Sequence, residues 1–217
     1  MKTQSKNQSL ALISMLAIGA TFLADSAFAE CQKEVASKCQ GAKLAKADWH
    51  GENLDGSDFQ NADLTSANFS KTSLKGANFQ GATLVTTNFE GSDVRGANFE
   101  GANMGWTNLG SVIAVGAKFN KADMTNANMM EADLTSSTFL GTNLTNANFY
   151  TADAEQANMQ GAKLEWTHMN FANFKNVDLT KATVSKSSYI GVNFKGAKWT
   201  DGAVCQSPSI GKCRKTN

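Results

Sequence analysis

The cysteines and histidines of this chain are the side chains with the most obvious capacity for chemistry. There are four cysteines, Cys31, Cys39, Cys205 and Cys213, and two histidines, His50 and His168. The cysteines form two pairs, each with a spacing of eight residues, near the two ends of the chain. Four cysteines allow three disulfide pairings, and four free thiols or a zinc site are the alternatives to disulfides.

Catalysis would need these groups to meet at one place. A Ser or Cys nucleophile requires a base within hydrogen-bond reach, and histidine occurs only twice. The carboxylates are spread along the chain, and the sequence has neither a phosphate-binding loop nor a calcium-binding nonapeptide repeat. The sequence therefore predicts a protein that is not an enzyme and that needs no cofactor or metal.

The rest of the chain has a period of five residues. From Leu44 to Val204 the period is unbroken for (204 − 44)/5 + 1 = 33 units. Each unit centres on a large apolar residue, with a small residue two positions before it and usually Asn or Asp between them, as in Ala77-Asn78-Phe79. This period matches neither the 3.6 residues of a helix nor the 2 of a strand, so it indicates a repeat architecture.

The motif A-[DN]-[LF]-x-x resembles that of the pentapeptide repeat family, over residues 44–204. The resemblance implies an all-β fold, a right-handed quadrilateral parallel β-helix with one pentapeptide per side and four per coil. Thirty-three units then make about eight coils. Residues twenty apart should stack, and sorting at that interval places five phenylalanines in one column: Phe59, Phe79, Phe99, Phe119 and Phe139.

This architecture restricts the cysteine pairing. About eight coils at ~4.8 Å each make a rod near 40 Å long, whereas a disulfide needs Cα atoms within roughly 7 Å of each other. We therefore expect Cys31–Cys39 and Cys205–Cys213, each pinning a short cap over one end of the solenoid. The predicted caps are residues 30–43, within which Cys31 to Gly41 form a short helix, and residues 205–217. The same rod separates His50 from His168 by about six coils.

The first 29 residues have the features of a secretory signal peptide. Lys2 and Lys6 precede an apolar run from Leu10 to Leu23, and Ala27-Phe28-Ala29 is an A-x-A cleavage site. The apolar run is short for a membrane span, although a retained anchor is the alternative. We expect a mature chain that starts at Glu30, has no membrane span and is periplasmic or secreted, with the thylakoid lumen as a second destination.

Charge argues against nucleic acid as a partner. Without Lys2, Lys6 and Asp25 the chain has 18 basic and 18 acidic residues, a net charge of zero. No global field then steers the mature protein to nucleic acid. One side combines Lys75 and Arg95 with Asp93, which indicates a solvated face of mixed charge.

Outward positions occupied by large apolar residues are the candidate binding surface. Trp106 and Trp166 share a corner column, and a second group departs from the motif at Ile113 and Val115. The candidate interface residues are Trp106, Met130, Tyr150, Trp166, His168, Phe171 and Ile190, with Ile113 and Val115 as a separate contact. Exposed apolar residues mark an interface when they form a patch; rings folded back over the corners are the alternative.

The sequence thus favours a secreted, non-catalytic scaffold that binds a protein or envelope component through one face. Two other functions stay open. Some family members mimic DNA and bind DNA gyrase, a mode that requires a strongly acidic face. The third is a structural spacer or homodimer, joined end to end or through Ile113 and Val115.

Overall fold

The computed structural model describes Cys31 and residues 33–215, so the predicted signal peptide and Glu30 lie outside the described residues. Within this part of the chain there is no helix, and every strand is a single-residue β-bridge. All bridges from Lys38 to Lys198 are parallel and join residues twenty positions apart. That spacing confirms the predicted coil of four pentapeptides.

The bridges form four ladders, which we number as the sides of the coil. Side 1 runs from Lys43 to Thr183, side 2 from Asp48 to Ser188, side 3 from Asn53 to Asn193 and side 4 from Lys38 to Lys198. On each side the residue after the bridge residue points inward, and the next one points outward again. The outward positions of one side therefore form two columns with a period of twenty residues.

Backbone hydrogen bonding explains why Asn and Asp occupy the bridge position. In the unit Ala77 to Gly81, the amides of Asn78, Phe79 and Gly81 donate to neighbouring coils, and that of Ala77 closes a turn onto Leu74. The amide of Gln80 has no backbone acceptor and donates to Oδ1 of Asn78 at 3.2 Å. The Asn side chain thus satisfies the fifth donor of the unit, as buried or crowded backbone amides require.

Every corner of the coil has a residue in the left-handed region. Positive φ recurs at five-residue intervals from Ala36 (58°) to Gly196 (73°). Nearly every corner also closes an i to i+3 bond, such as Ala77 N to Leu74 O at 3.0 Å, as is typical of a turn with positive φ at its third residue. Glycine adopts this conformation without strain, and asparagine tolerates it better than most residues.

The interior is a continuous apolar column. Phe79 and Phe99 are vertical neighbours with ring centroids 4.9 Å apart and planes within 1°. Rings on opposite sides meet edge to face, for example Phe79 and Phe89 at 5.6 Å and 88°, so both favourable aromatic geometries occur together. Small residues fill the inward corner positions; where these are Ser or Thr, a backbone carbonyl accepts from the hydroxyl, as from Thr87 to Leu64 at 2.8 Å.

The N-terminal end differs from expectation. The predicted helical cap is wrong, because residues 33–43 contain turns and two bridges and no helix. Lys38 already pairs with Asp58, and Cys39 occupies the inward column above Phe59 with 1% exposure. This segment carries small and turn-forming residues at the coil's own positions, and pairing with the next coil outweighs its weak helical tendency.

The C-terminal end closes by reversing direction. After Trp199 the chain turns back, and Val204 pairs antiparallel with Lys198 and Ile210 antiparallel with Asn193. Val204, which the five-residue phase places in the coil, is 45% exposed. The returning segment covers the free edges of sides 3 and 4, which an open solenoid end would leave unpaired.

Two disulfides tie these terminal segments. Sγ atoms of Cys31 and Cys39 are 2.05 Å apart, and those of Cys205 and Cys213 are 2.03 Å apart. They are the pairs expected from the length of the rod. Cys39 and Cys205 are buried in the apolar column, so each bridge links a peripheral segment to the core.

Candidate functional site

A row of exposed apolar side chains lies on side 2 and its corner toward side 3. We call it the side-2 strip: Met130, Tyr150, Phe171 and Ile190. Tyr150 and Phe171 meet edge to face with centroids 5.8 Å apart. The Phe171 ring also covers Gly191, where an added Cβ would lie 2.6 Å from a ring carbon. Phe171 therefore joins Tyr150 to the turn that carries Ile190, and the strip is continuous over the last coils.

Phe171 and the two tryptophans sit at corners where they are strained. Their φ angles are 62° for Phe171, 60° for Trp106 and 59° for Trp166. This region costs an L-residue roughly 1–2 kcal/mol, and most corners in the first coils use Gly, Ser, Thr, Asn or Lys instead. Bulky residues kept at strained positions and exposed to solvent are poorly explained by folding alone, and they point to a function for these side chains.

The flat part of side 2 is uncharged beside the strip, and Glu131 is the one charged residue in the corner column between Ser111 and Phe171. From Asn108 to Ile190 its outward positions hold asparagines, Gly110, His168, Ser188 and the strip residues, with no Lys, Arg, Asp or Glu. The cores of protein interfaces are depleted in charged residues and enriched in aromatic residues and Met. This composition distinguishes the C-terminal part of side 2 from side 3.

An asparagine ladder forms the polar floor of this side. Each amide Nδ2 donates to the Oδ1 of the coil before it, at 3.1 Å from Asn108 to Asn88, 3.0 Å from Asn128 to Asn108 and 3.1 Å from Asn148 to Asn128. His168 takes the next position and is exposed. Stacked amides of this kind stabilise laddered β structures, so the strip rests on a rigid base.

Trp166 faces the strip from the other corner of side 2. It is 53% exposed, and the Lys186 ammonium lies 4.6 Å from its ring centroid, a cation–π contact. Trp106 is 65% exposed on the same corner column. Asn126 and Asn146 occupy the two corners between them, so the two indoles are three coils apart and do not touch.

Ile113 and Val115 lie elsewhere, on side 3. Ile113 is 41% exposed and Val115 is half-buried, and the bridge partners of Ile113 are Asp93 and Asp133. They form a small apolar spot inside a charged side and have no contact with the side-2 strip. The sequence groups them as a separate contact, and the structure keeps them separate.

Several charges of side 3 are paired. Arg95 donates to Asp93 with Nη2 2.6 Å from Oδ2, and Lys175 donates to Glu155 at 2.7 Å. The hydrogen bond from Arg95 holds the pKa of the Asp93 carboxyl below its usual value, against a smaller opposing effect of burial. Side 3 is thus the mixed-charge face that the sequence predicts.

Four exposed apolar residues were not among the candidates from the sequence, and the first of them along the chain is Val35, in the turn before Lys38. Leu140 lies on side 4 next to Thr138, and Val204 and Ile210 lie in the reversed C-terminal segment. Leu140 could have been found from the sequence, because it occupies an outward position of the five-residue repeat. Val204 and Ile210 could not, because their exposure depends on the change of chain direction.

The structure brings one histidine close to a serine. His50 Nδ1 lies 2.8 Å from Ser70 Oγ, but Ser70 also lies 2.7 Å from Asn68 Oδ1, the acceptor of its proton. His50 then acts as the donor to Ser70, which is not the arrangement of an activated nucleophile. Among the described residues no group of three His, Cys, Asp or Glu side chains could hold a metal ion.

The fold and the surface define a class of protein, a β-solenoid with a filled core and outward columns of side chains. The family described as "Pentapeptide repeats" matches the chain in eight copies, over residues 37–76, 72–110, 115–150, 147–185 and 157–196. The chain belongs to the pentapeptide repeat family. Proteins of this family fold as right-handed quadrilateral β-helices and are generally non-enzymatic structural or binding proteins.

One solved structure supports this fold. A trypsin-treated variant of QnrB1, titled a plasmid-mediated fluoroquinolone resistance protein, is similar with a TM-score of 0.51 and 21% identity, over 70% of this chain and 79% of that one. HetL, from the cyanobacterium Nostoc sp. strain PCC 7120 and titled as involved in heterocyst differentiation regulation, aligns over 82% of this chain and 96% of its own, with 22% identity and a TM-score of 0.29.

A thylakoid-lumen pentapeptide repeat protein from Arabidopsis thaliana aligns over 51% of this chain and 66% of its own, with 28% identity and a TM-score of 0.21. No curated protein matches the chain at a significant level. None of the described residues belongs to a helix that is long and apolar enough to cross a membrane.

Proposed function

We propose that the protein is an exported, non-catalytic scaffold that binds a protein of the cell envelope through the side-2 strip. The observation that carries this proposal is the exposure of Phe171 and its neighbours at a strained corner beside the uncharged flat part of side 2. Phe171 is 56% exposed and touches both Tyr150 and Gly191. Solenoids expose their sides as extended binding surfaces, and aromatic anchors supply most of the energy of protein interfaces.

Export is part of the proposal. The signal peptide over residues 1–29 and the two disulfides both fit an oxidising compartment. The periplasm is the destination we propose, and the thylakoid lumen applies in a photosynthetic host. Recovery of the chain with Glu30 as its first residue supports export; an intact N-terminus in the cytoplasmic fraction contradicts it.

A photo-crosslinking amino acid at position 171 tests the binding surface. The matched control carries the same group at Lys71, which occupies the same corner column with a φ of 57° in place of 62°. We expect one discrete adduct from position 171 in envelope extract and none from position 71. Tyr150→Ser, introduced beside the crosslinker at 171, should reduce the adduct. Equal labelling from the two positions would remove the strip as the binding surface.

The DNA-mimic alternative has less support. A DNA mimic needs uninterrupted columns of acidic side chains to face a DNA-binding surface. On side 3, however, Lys75, Arg95 and Lys175 form ion pairs with the neighbouring carboxylates. The likeness to QnrB1 concerns the fold. Strong inhibition of DNA gyrase supercoiling by the purified protein would restore this function to first place.

A further inference from the structure

Charge is segregated along the rod, although the chain from residue 30 onward has no net charge. Residues 179–215 contain seven cations and one anion, Asp201, a net charge of +6. Residues 33–178 contain eleven cations and sixteen anions, a net charge of −5. The seven cations are Lys181, Lys186, Lys195, Lys198, Lys212, Arg214 and Lys215. One end of the molecule is therefore basic and the remainder acidic.

The seven cations surround the C-terminal end. Lys181 lies at a corner, Lys195 on side 3 and Lys198 on side 4 of the last coil, and Lys212 and Arg214 lie in the reversed segment; all seven are exposed. Lys198 pairs with Asp178 at 3.3 Å and Lys215 with Asp201 at 2.5 Å. Lys181, Lys195, Lys212 and Arg214 form no ion pair with any other residue that the structure describes.

Aliphatic side chains are exposed at the same end. Val204 is 45% and Ile210 is 56% exposed, and both lie in the segment that reverses beneath the last coil. The position next to Ile210 is close to the turn after Ile190, since a Cβ on Gly211 would lie 3.6 Å from the amide nitrogen of Gly191. The end of the rod thus combines unpaired cations with isolated aliphatic residues.

We propose that this C-terminal end binds the surface of a bilayer that contains anionic phospholipid. Each Lys or Arg near such a surface contributes attraction to the negative surface potential, and exposed aliphatic side chains add affinity by entering the boundary between headgroups and acyl chains. A soluble polyanion would leave Val204 and Ile210 without an apolar environment, so both features together favour a bilayer.

The acidic remainder of the rod determines the orientation. With a net charge of −5 over residues 33–178, the sides are repelled by an anionic surface, and the molecule binds end-on. This orientation directs side 2 along the membrane normal and leaves the side-2 strip accessible. The inference does not depend on the proposed protein partner, because the two surfaces share no residue.

Vesicle sedimentation tests the proposal with protein expressed from the full sequence, recovered after export and checked at its N-terminus by mass spectrometry. Vesicles of phosphatidylglycerol with phosphatidylcholine should sediment the protein, and vesicles of phosphatidylcholine alone should not. The variant Lys181→Gln/Lys195→Gln/Lys212→Gln/Arg214→Gln should weaken binding on the order of 1000-fold, because each of the four cations contributes about 1 kcal/mol at such a surface. Raising the salt concentration should weaken binding of the unaltered protein.

A matched control removes the same charge from the other end of the rod. Lys38→Gln/Lys43→Gln/Lys46→Gln/Lys71→Gln, all at exposed positions, should bind as the unaltered protein does. Val204→Ser/Ile210→Ser should weaken binding and leave its salt dependence unchanged. Val35→Ser is the matched control at the N-terminal end, where Val35 is 55% exposed. Far-ultraviolet circular dichroism verifies that each variant is folded.

Three results would overturn the proposal. One is equal binding of the two quadruple variants to anionic vesicles. Another is binding to heparin or polyphosphate by a protein that anionic vesicles fail to sediment, which would identify a soluble polyanion as the ligand. The third is a dimer that forms through the C-terminal end without vesicles and disappears in Val204→Ser/Ile210→Ser, which would identify a second copy as the occupant.

Discussion

The first coils of the solenoid and the last ones use the same backbone plan with different side chains. In the first coils the phenylalanines of side 4 stack face to face, with interplanar angles of 9° for Phe59–Phe79 and 1° for Phe79–Phe99. In the last coils Phe174 and Phe194 are also vertical neighbours, but their planes cross at 83°. The column of side 4 changes there to Met159 and Leu179.

The surfaces differ more than the cores. Between residues 44 and 105 no large apolar side chain is among the exposed ones, whereas Trp106, Phe171 and Ile190 are all exposed further along. The last coils also have irregular corners, where the Thr167 and Ser187 amides form no turn bond and Ser187 Oγ instead accepts from the Thr167 amide at 3.0 Å. The exposed apolar side chains are therefore concentrated in the later coils, which are the ones we propose for binding.

Truncating a stacked ring should have the largest effect. Phe99→Ala removes a fully buried ring that stacks on Phe79 and Phe119 at 4.9 and 5.0 Å, and should lower the free energy of unfolding by roughly 3–5 kcal/mol. Phe171→Ala, an exposed ring, should change it by less than about 1 kcal/mol. Denaturant titration followed by fluorescence measures both. Similar losses in the two variants would mean that Phe171 is a structural residue.

Removing either disulfide should have the next largest effect. Both bridges close loops of the same sequence separation, 8 residues, so Cys205→Ala/Cys213→Ala and Cys31→Ala/Cys39→Ala should each cost roughly 2.5 kcal/mol by chain entropy. Each double variant should destabilise only the end of the solenoid that has lost its disulfide, because each coil contacts only its neighbours. Hydrogen exchange read by mass spectrometry should show faster exchange in residues 195–215 for the first variant alone. Protection lost along the whole rod in that variant would contradict local fraying.

Acid should weaken the last coils through Asp178. Burial opposes ionisation of this carboxyl, but hydrogen bonds from Thr180, Gln160 and Lys198 prevail and lower its pKa to about 2. A folded pKa below the unfolded value of ~3.9 gives stability that is present above pH 4 and lost as the pH falls toward 2.

The variant Asp178→Asn isolates this contribution. It should lower the free energy of unfolding at pH 7 by up to about 2 kcal/mol and should lose less stability than the unaltered protein between pH 4 and pH 2. Thermal unfolding across that range measures the difference. The same acid loss in Asp178→Asn would show that other carboxylates cause it.

Breaking the asparagine ladder should have the smallest effect. Asn128 donates to Asn108, accepts from Asn148 at 3.1 Å and accepts from the Met130 amide at 3.3 Å. Asn128→Ala should cost on the order of 1–2 kcal/mol, since these bonds are partly exposed. If side 2 is a recognition surface, the same variant should also reduce crosslinking from position 171, whereas Asn78→Ala on side 4 should not. Thermal melting and the crosslinking assay separate the two effects.

Part of the fold could be predicted from the sequence and part of it could not. The column from Phe59 to Phe139 could be predicted because a five-residue motif on four sides has one register, and slipping it by one residue would expose every ring. The N-terminal segment could not, since Ser37 and Cys39 are small residues whose inward positions depend on the pairing of Lys38 with Asp58 in the next coil. Tertiary pairing overrode a weak helical tendency there.

The sequence predicted which residues belong to the candidate site, but it did not predict how they contact one another. Outward phase identified Tyr150, Phe171 and Ile190, because their positions in the repeat follow from counting. The contact of Phe171 with Gly191, by contrast, depends on side-chain direction at a corner with positive φ. Counting also identified the four cysteines, and the rod length selected their pairing.

By itself, the sequence determined the solenoid, its period of twenty residues, its filled interior and its two cysteine pairs. These follow from local composition repeated in one phase, because each coil needs only its neighbours to bury its apolar residues. Only the tertiary structure decided which aromatic corners touch, where the chain turns back after Trp199, and that Val204 and Ile210 stay exposed beside the lysines. Those features depend on how the last coil ends, and a repeat does not encode its own termination.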